Sequence, residues 1–181
     1  CCYDLKSIRI PSALTSLSDS VFYSCESLSE IVIPNSIKTI GESAFSYCEG
    51  IETITIPDSV VSVGERAFSK CTSLKSVSLG KGLDELSDGI FYECTSLETV
   101  EIPDGIIRIG ESAFRFCRGL TSINIGKGVS ELGDGAFAYC ESLKSFIVDT
   151  ENEDLASLNG DLYNSVLTTL INYAPAKEDK V

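Results

Sequence analysis

The sequence predicts an α/β solenoid, in which stacked repeats form a parallel β-sheet on one face and short helical turns on the other. Two observations lead to this prediction. Cysteine recurs at an interval of 23 residues from Cys2 to Cys140, without insertion or deletion. Phenylalanine recurs at the same interval from Phe22 to Phe137, each time three residues before a cysteine. A fixed period of this length indicates one supersecondary unit stacked on copies of itself.

Each repeat contains a strand. In the repeat spanning residues 48–71, Ile54 and Ile56 alternate with Thr53 and Thr55, which is the pattern of a strand with one buried side. The next position holds proline or glycine, and either residue ends a strand by removing a backbone donor or by freeing the backbone. The isoleucines are therefore predicted to face the core and the threonines to face outward.

The second half of the repeat contains a shorter extended segment and then a turn. Val60 and Val63 are spaced by three and are predicted to point inward. A serine or glycine follows in every repeat, and then an acidic residue. Serine and glycine are accepted at helix N-caps, and a carboxylate is favoured in the first turn of a helix. We therefore predict that Glu65 to about Lys70 form a short helical turn that buries Ala67 and Phe68.

The repeats occupy residues 1–148, about six and a half copies, and residues 149–181 leave the period. In this second part Asn159-Gly160 is a strong turn signal between apolar segments, so a β-hairpin is predicted to cap the array. Residues 176–181 are expected to form a frayed tail. Since the chain begins at Cys1, in the middle of a repeat and without an initiating Met, it is expected to be a fragment or a processed product.

Composition excludes several classes of function. The net charge is −13 and basic residues form no run, which disfavours nucleic acid and anionic membranes as partners. No stretch of 18 apolar residues is present, so direct membrane insertion is not predicted. The chain contains no histidine and therefore no Ser-His-Asp or Cys-His catalytic machinery. We predict that it is not an enzyme and that it has no catalytic residues, cofactor or metal.

The cysteine column allows two interpretations. Neighbouring strands lie about 4.8 Å apart, within the Cα range of a disulfide, but parallel side chains hold their Cβ atoms too far apart for the bond. Reduced, buried thiols that pack as small apolar groups are therefore favoured over disulfides. The acidic column also has two interpretations, a ladder of bound divalent cations or solvated carboxylates at helix starts. The second requires no ligand and is favoured.

A weaker period of 46 residues overlies the first. Pro57-Asp58 and Pro103-Asp104 alternate with Gly80-Lys81 and Gly126-Lys127 at the corner that follows the strand. The alternation indicates tandem duplication of a block of two repeats. The two lysines are expected to be solvated corner residues.

The candidate binding site is the outward side of the strands, here called the strand face. It is small and polar and lacks the Trp, Tyr and Arg that anchor tight interfaces, so its affinity is expected to be modest and multivalent. The same ladder of Thr and Ser suggests an alternative, recognition of ice or a mineral lattice, although Glu30, Val32 and Glu101 interrupt it. The candidate residues are Glu30, Val32, Thr53, Thr55, Ser76, Ser78, Thr99, Glu101, Ser122 and Asn124.

The repeats resemble the BspA-like class of leucine-rich repeat, in which a strand is followed by an Ile-Pro corner, an Ile-Gly step and an Ala-Phe-x-x-Cys closure. The resemblance covers roughly residues 2–148, and Ile102-Pro103, Ile109-Gly110 and Ala113-Phe114 fall in register with Cys117. The C-terminal segment also resembles that family, in which a Gly-x-Leu-Tyr turn precedes a Thr-x-Leu-Ile-x-Tyr strand.

This resemblance implies a right-handed superhelix of the leucine-rich-repeat type. It also implies a secreted or cell-surface protein of host-associated bacteria or protists, used in adhesion. The expected function is a monomeric, non-catalytic module that binds host extracellular matrix or cell-surface proteins through the strand face. The alternative is a spacer in a longer surface protein, with no ligand of its own.

The phenylalanine column generates a stability prediction. Phe68→Ala should lower the free energy of unfolding by roughly 3–5 kcal/mol, because it leaves a cavity in the predicted core. Chemical denaturation of the variant and the parent chain measures the difference. An unchanged melting temperature would contradict the proposed phenylalanine spine.

Overall fold

The computed structural model describes residues 2–176, which contain sixteen strands. Seven strands of three or four residues form the strand face: β1 (Ser7–Arg9), β3 (Glu30–Val32), β5 (Thr53–Thr55), β7 (Ser76–Ser78), β9 (Thr99–Ile102), β11 (Ser122–Ile125) and β13 (Ser145–Val148). Six strands of two residues form a second side: β2 (Ser16–Leu17), β4 (Thr39–Ile40), β6 (Ser62–Val63), β8 (Glu85–Leu86), β10 (Arg108–Ile109) and β12 (Glu131–Leu132). The last three are β14 (Leu155–Leu158), β15 (Asp161–Asn164) and β16 (Leu170–Asn172).

The strands of the repeats pair in parallel, and the register of the pairing equals the sequence period. Ser122 pairs with Thr99 on one side and with Ser145 on the other, each 23 residues away. On the strand face the hydrogen-bonded order is β13-β11-β9-β7-β5, with β1-β3 as a separate pair. The short strands form two three-stranded sheets, β2-β4-β6 and β12-β10-β8. The predicted solenoid is thus confirmed as a parallel-strand β-solenoid of about six turns.

The predicted helical turns are wrong, because residues 2–176 contain no helix. A helix would send every N–H to the carbonyl four residues back. In the segment after Gly64 the N–H groups instead alternate between two kinds of acceptor. Those of Ala67, Ser69 and Cys71 donate three residues back, whereas those of Arg66, Phe68 and Lys70 donate to carbonyls of the next repeat at 2.7–3.0 Å. Each segment is therefore a run of β-turns bonded to its neighbour.

Backbone angles explain why this segment cannot wind into a helix. Arg66 has a φ of 53° and Lys70 a φ of 59°, both in the left-handed region, and the equivalent residues of the other repeats do the same. The Ser/Gly column before the acidic residue is not an N-cap either. A Cβ at Gly64 would lie 2.4 Å from the backbone nitrogen of Glu42, so close approach of successive repeats selects glycine there. The turn segments, such as residues 64–71, form what is here called the turn face.

The phenylalanine column is the centre of the core. Phe45, Phe68, Phe91 and Phe114 are fully buried, and the rings of successive repeats stack with centroids 5.2–5.8 Å apart. Phe146 ends the stack, because its ring contacts Phe137 edge-on at 5.2 Å. Offset and edge-on aromatic contacts of this kind add to the stabilisation from burial alone. The core columns at the first strand are less complete, since Ile8 and Leu14 are exposed.

The cysteine column consists of free thiols, buried at every position from Cys25 to Cys140. Each thiol from Cys48 to Cys140 donates a hydrogen bond to the carbonyl of the phenylalanine of the previous repeat, as Cys71 does to Phe45 at 3.3 Å and Cys94 to Phe68 at 3.2 Å. The same Phe68 carbonyl accepts the backbone N–H of Cys71. The thiols are therefore not only small apolar groups, because each also satisfies a buried acceptor of the repeat before it.

Burial keeps these thiols protonated, which is the form that donates. Desolvation raises the pKa of Cys48 and Cys140 to about 12, and raises those of Cys71, Cys94 and Cys117 well above the ordinary value. Neighbouring thiols raise the pKa further at four of these five cysteines, the exception being Cys140. The thiolate, which is the reactive form, is thus suppressed at these five positions.

The two glycine corners lie close against the proline corners of the preceding repeats. The carboxylate of Asp104 accepts the backbone N–H of Lys127 at 3.3 Å, and Asp58 does the same for Lys81 at 2.9 Å. These bonds draw the glycine corner onto the proline corner below it. A Cβ at Gly126 would lie 2.7 Å from the carbonyl oxygen of Ile102. A proline corner and a glycine corner are therefore complementary neighbours.

The C-terminal sheet packs against the last repeat, where β14 and β15 contact β13. Asn152 is buried, and its amide nitrogen donates to the carbonyls of Gly126 (3.0 Å) and Val129 (2.9 Å). Its amide oxygen accepts the N–H groups of Asp154 and Leu155. The sheet has the antiparallel order β14-β15-β16, one strand more than the predicted hairpin. The predicted frayed tail, except for residue 176, and Cys1 lie outside the described residues.

The protonated thiols generate a prediction about alkaline pH. Because folding raises the pKa of Cys94, its stabilising contribution is complete below the ordinary thiol pKa of 9.0 and decreases as the pH rises above it. Cys94→Ser keeps a donor but removes this titration. Between pH 9 and 11 the free energy of unfolding should fall less steeply with pH for the variant than for the parent chain. The difference between the two slopes should be about 1.4 kcal/mol per pH unit.

Urea denaturation under reducing conditions at three pH values measures this slope. Cys2→Ser is the matched control, because the side chain of Cys2 is exposed in the folded chain. It should leave the slope unchanged. Equal slopes for Cys94→Ser and the parent chain would show that the buried thiol does not contribute to the pH dependence.

Candidate functional site

The strand face presents the predicted site residues to solvent. Nine of the ten are exposed, and Ser122 is half-buried. In each strand the two outward residues flank an inward-facing aliphatic residue, as Thr53 and Thr55 flank the buried Ile54. Because side chains alternate along a strand, the buried isoleucines fix the outward direction of their neighbours. The face is therefore positioned by the core beneath it.

The sheet register brings eight of the ten residues onto one continuous surface. One column runs Thr53, Ser76, Thr99, Ser122 and Ser145, and at its side Glu101 pairs with Asn124 and Asn124 with Ile147. Glu30 and Val32 lie on β3, which pairs with β1 in a separate sheet. The column of Thr and Ser hydroxyls is thus bordered by charged and apolar side chains, with Glu30 and Val32 toward one end and Ile147 toward the other.

Two shallow grooves border the strand face. One, of about 490 Å³, lies where the strands end and is lined by Glu101, Asn124 and Ile147 together with Lys81 and Asp149. The other, of about 830 Å³, lies over β1 and β3. It contains Val32, which is 79% exposed, and Arg9, which sequence reasoning missed because the first strand was not assigned to the face.

The corner lysines differ in their contacts. Lys127, predicted to be a solvated corner residue, donates from Nζ to a carboxylate oxygen of Glu151 at 2.7 Å. Both side chains are largely exposed. A surface ion pair of this kind contributes little to stability, so the pair does not imply a structural role for the lysine. Lys81 lines the groove beside Glu101.

The acidic column acts through backbone contacts at its aspartates. A carboxylate oxygen of Asp19 accepts the N–H of Glu42 at 2.8 Å, and one of Asp88 accepts that of Glu111 at 2.8 Å. Partial burial acts to raise the pKa of Asp88, but the hydrogen bonds from Arg108 and Glu111 and the charge of Arg108 outweigh it and lower the pKa. Across residues 2–176, no group of three or more His, Cys, Asp or Glu residues could hold a metal ion.

The turn face carries an aromatic and cationic stripe that the sequence analysis missed. Its members are Tyr23, Tyr47, Lys70, Tyr92, Arg115, Phe116 and Tyr139, all one or two residues after the core phenylalanine. These two columns hold different residue types from repeat to repeat, so periodicity does not reveal them. The type of side chain could have revealed the stripe, because each of the six repeats has an aromatic or a cationic residue at one or both of these two positions.

Contacts along the stripe join neighbouring repeats. The Nζ of Lys70 donates to the hydroxyl of Tyr47 at 2.9 Å and lies 4.6 Å from the centre of its ring. The hydrogen bond with Tyr47 and the charge of Glu93 raise the pKa of Lys70, against a small desolvation effect. Further along, the Arg115 guanidinium lies 5.2 Å from the ring centres of Phe116 and Tyr139. Cation–π contacts of this type orient the charged groups.

A groove of about 810 Å³ runs along the turn face from Tyr23 to Arg115. Its lining combines three tyrosines with serines and with charged residues of both signs. The groove is larger and more polar in character than that beside Glu101. Within residues 2–176, no helix has the length and apolar character needed to cross a membrane.

A family model supports the repeat assignment. The model of the BspA type leucine rich repeat region matches six copies in this chain, over residues 1–88 and 38–162. Together the two overlapping matches cover more than half of the sequence. A search of curated proteins gave no match.

Solved structures of bacterial leucine-rich repeat proteins share the fold. A protein from Eubacterium ventriosum is 28% identical with a TM-score of 0.79, over 87% of this chain and 42% of its own. One from T. pallidum is 31% identical with a TM-score of 0.75, over 78% of this chain and 69% of its own. A leucine rich cell surface protein from Faecalibacterium prausnitzii is 24% identical with a TM-score of 0.64, over 97% of this chain and 56% of its own, and shows likeness of fold alone.

Proposed function

Because the chain belongs to the BspA type leucine-rich repeat family, we propose that it is a non-catalytic binding module of a secreted or cell-surface protein. Its partners are proteins of the host extracellular matrix or of another cell surface, and it contacts them through the strand face. The chain spans 42% of the E. ventriosum protein and 69% of the T. pallidum protein, so the proposal concerns a module rather than a whole protein.

The observation that supports this function most strongly is the in-register column of hydroxyls on the strand face, which is exposed at Thr53, Ser76 and Thr99. Five hydrogen-bonded strands hold Thr53, Ser76 and Thr99 in fixed positions without long flexible side chains. A surface that is already ordered loses little conformational entropy on binding. Its small polar groups favour many weak contacts over a few strong ones, as repeated modules on a cell surface use.

The spacer function is the alternative, and it rests on the same repeats. A solenoid whose turns contact only their neighbours can separate two domains without binding anything itself. The two functions differ in one respect. Only a binding module loses an interaction when the strand face is changed.

Solid-phase binding of the isolated chain to purified collagen, laminin and fibronectin tests the proposal. We expect saturable binding to at least one of them, and about tenfold weaker binding by the double variant Ser78→Arg and Asn124→Arg. Both side chains are exposed and lie two repeats apart, so the bulky charges should block the face without unfolding the chain.

Tyr139→Ala, on the turn face, is the matched control and should bind like the parent chain. An unrelated acidic protein of similar size controls for charge. Binding no greater than that of the acidic protein, for all three matrix proteins, would reject the matrix-binding function and favour the spacer.

A further inference from the structure

We propose that the groove on the turn face is a second binding site, independent of the strand face, and that it takes a neutral carbohydrate chain. The groove runs along the solenoid axis and is lined by the turn segments of successive repeats. Its volume of about 810 Å³ lies within the range of small-molecule sites.

The aromatic lining is the first argument. Tyr23, Tyr47 and Tyr92 line the groove, whereas the strand face has no tyrosine among its predicted site residues. A tyrosine offers an apolar ring and a polar hydroxyl on one side chain. This combination matches a sugar, which has C–H groups on the faces of its ring and hydroxyls at its edges.

The balance of charge is the second argument. Arg66, Lys70 and Arg115 line the groove, and so do three carboxylates, Glu65, Asp88 and Glu111. The formal charge of the lining is therefore zero, although the whole chain carries −13. A neutral ligand with many hydroxyls can donate to the carboxylates and accept from the cations, and charge-assisted hydrogen bonds are the stronger kind.

Two of the cations have no competing ion pair. Neither Arg66 nor Arg115 forms a salt bridge within the described part of the chain. The guanidinium of Arg115 is instead oriented by the rings of Phe116 and Tyr139. Arg66 is exposed beside the groove. Both guanidinium groups therefore retain donors for ligand oxygens, in a geometry that suits planar, multiple hydrogen bonding.

The periodicity of the groove is the third argument. The phenylalanine rings of successive repeats lie 5.2–5.8 Å apart between centroids, and their strands about 4.8 Å apart. One hexose unit of a linear polysaccharide occupies a similar length. A polymer lying along the axis would therefore meet groups from successive repeats, with tyrosines at Tyr23, Tyr47 and Tyr92 and cations at Arg66, Lys70 and Arg115.

Isothermal titration of the full chain with linear hexaoses of glucose, N-acetylglucosamine, mannose and galactose tests the inference. At least one hexaose should bind saturably. Tyr47→Ala removes an aromatic surface and Arg66→Gln removes a charge while keeping a side chain of similar shape. Each should weaken that binding by about tenfold.

The strand-face double variant Ser78→Arg and Asn124→Arg is the matched control, and it should bind the hexaose like the parent chain. Arg66 is exposed and unpaired within residues 2–176, so Arg66→Gln should fold even if Tyr47→Ala does not. The inference is overturned if none of the hexaoses binds, if Arg66→Gln binds equally well, or if only a sulfated heparin hexasaccharide binds. These results are independent of whether the strand face binds matrix proteins.

Discussion

Every feature of this molecule depends on hydrogen bonds that leave one repeat and end on the next. Alternate N–H groups of each turn segment, and those of each strand, find no acceptor within their own repeat. A buried backbone donor without a partner is costly, so a single repeat has no stable form. The N–H donors of every repeat find acceptors in the next repeat only if the carbonyl groups have the same spacing in all repeats. The invariant 23-residue length follows directly from that condition.

The sequence was sufficient to predict the stack, the strands and the core, because these depend on periodic apolar positions such as Ile54 and Phe68. It was not sufficient to predict the backbone of the turn segment. Ser/Gly followed by an acidic residue is also the pattern of a helix start, and left-handed φ values at Arg66 and Lys70 are not evident from those residue types. Gly89 and Gly135, in the same column as Arg66, were the available clue.

The residues of the strand face could be predicted from the sequence, whereas those of the turn face could not. Outward positions on the strands follow from alternation, so the candidate residues of the strand face were identified as a set. The residues of the turn face lie in columns where tyrosine, lysine and arginine replace one another from repeat to repeat. A consensus sequence of the repeats therefore does not show them. Their relation becomes evident only when the fold places Tyr47 beside Lys70, one repeat away. In an array whose core positions are the same in every repeat, residues that give one protein its own binding function are therefore expected at the variable positions.

The thiol column has a consequence for the lifetime of the protein. Hydrogen bonding and burial hold the five cysteines from Cys48 to Cys140 in an unreactive form as long as the repeats stay stacked. Loss of the stack exposes them together, and in an oxidising medium exposed thiols form mixed and wrongly paired disulfides that prevent the array from refolding. Unfolding is then a one-way event. Outside a cell, such an array persists through the slowness of its first opening rather than through repeated refolding.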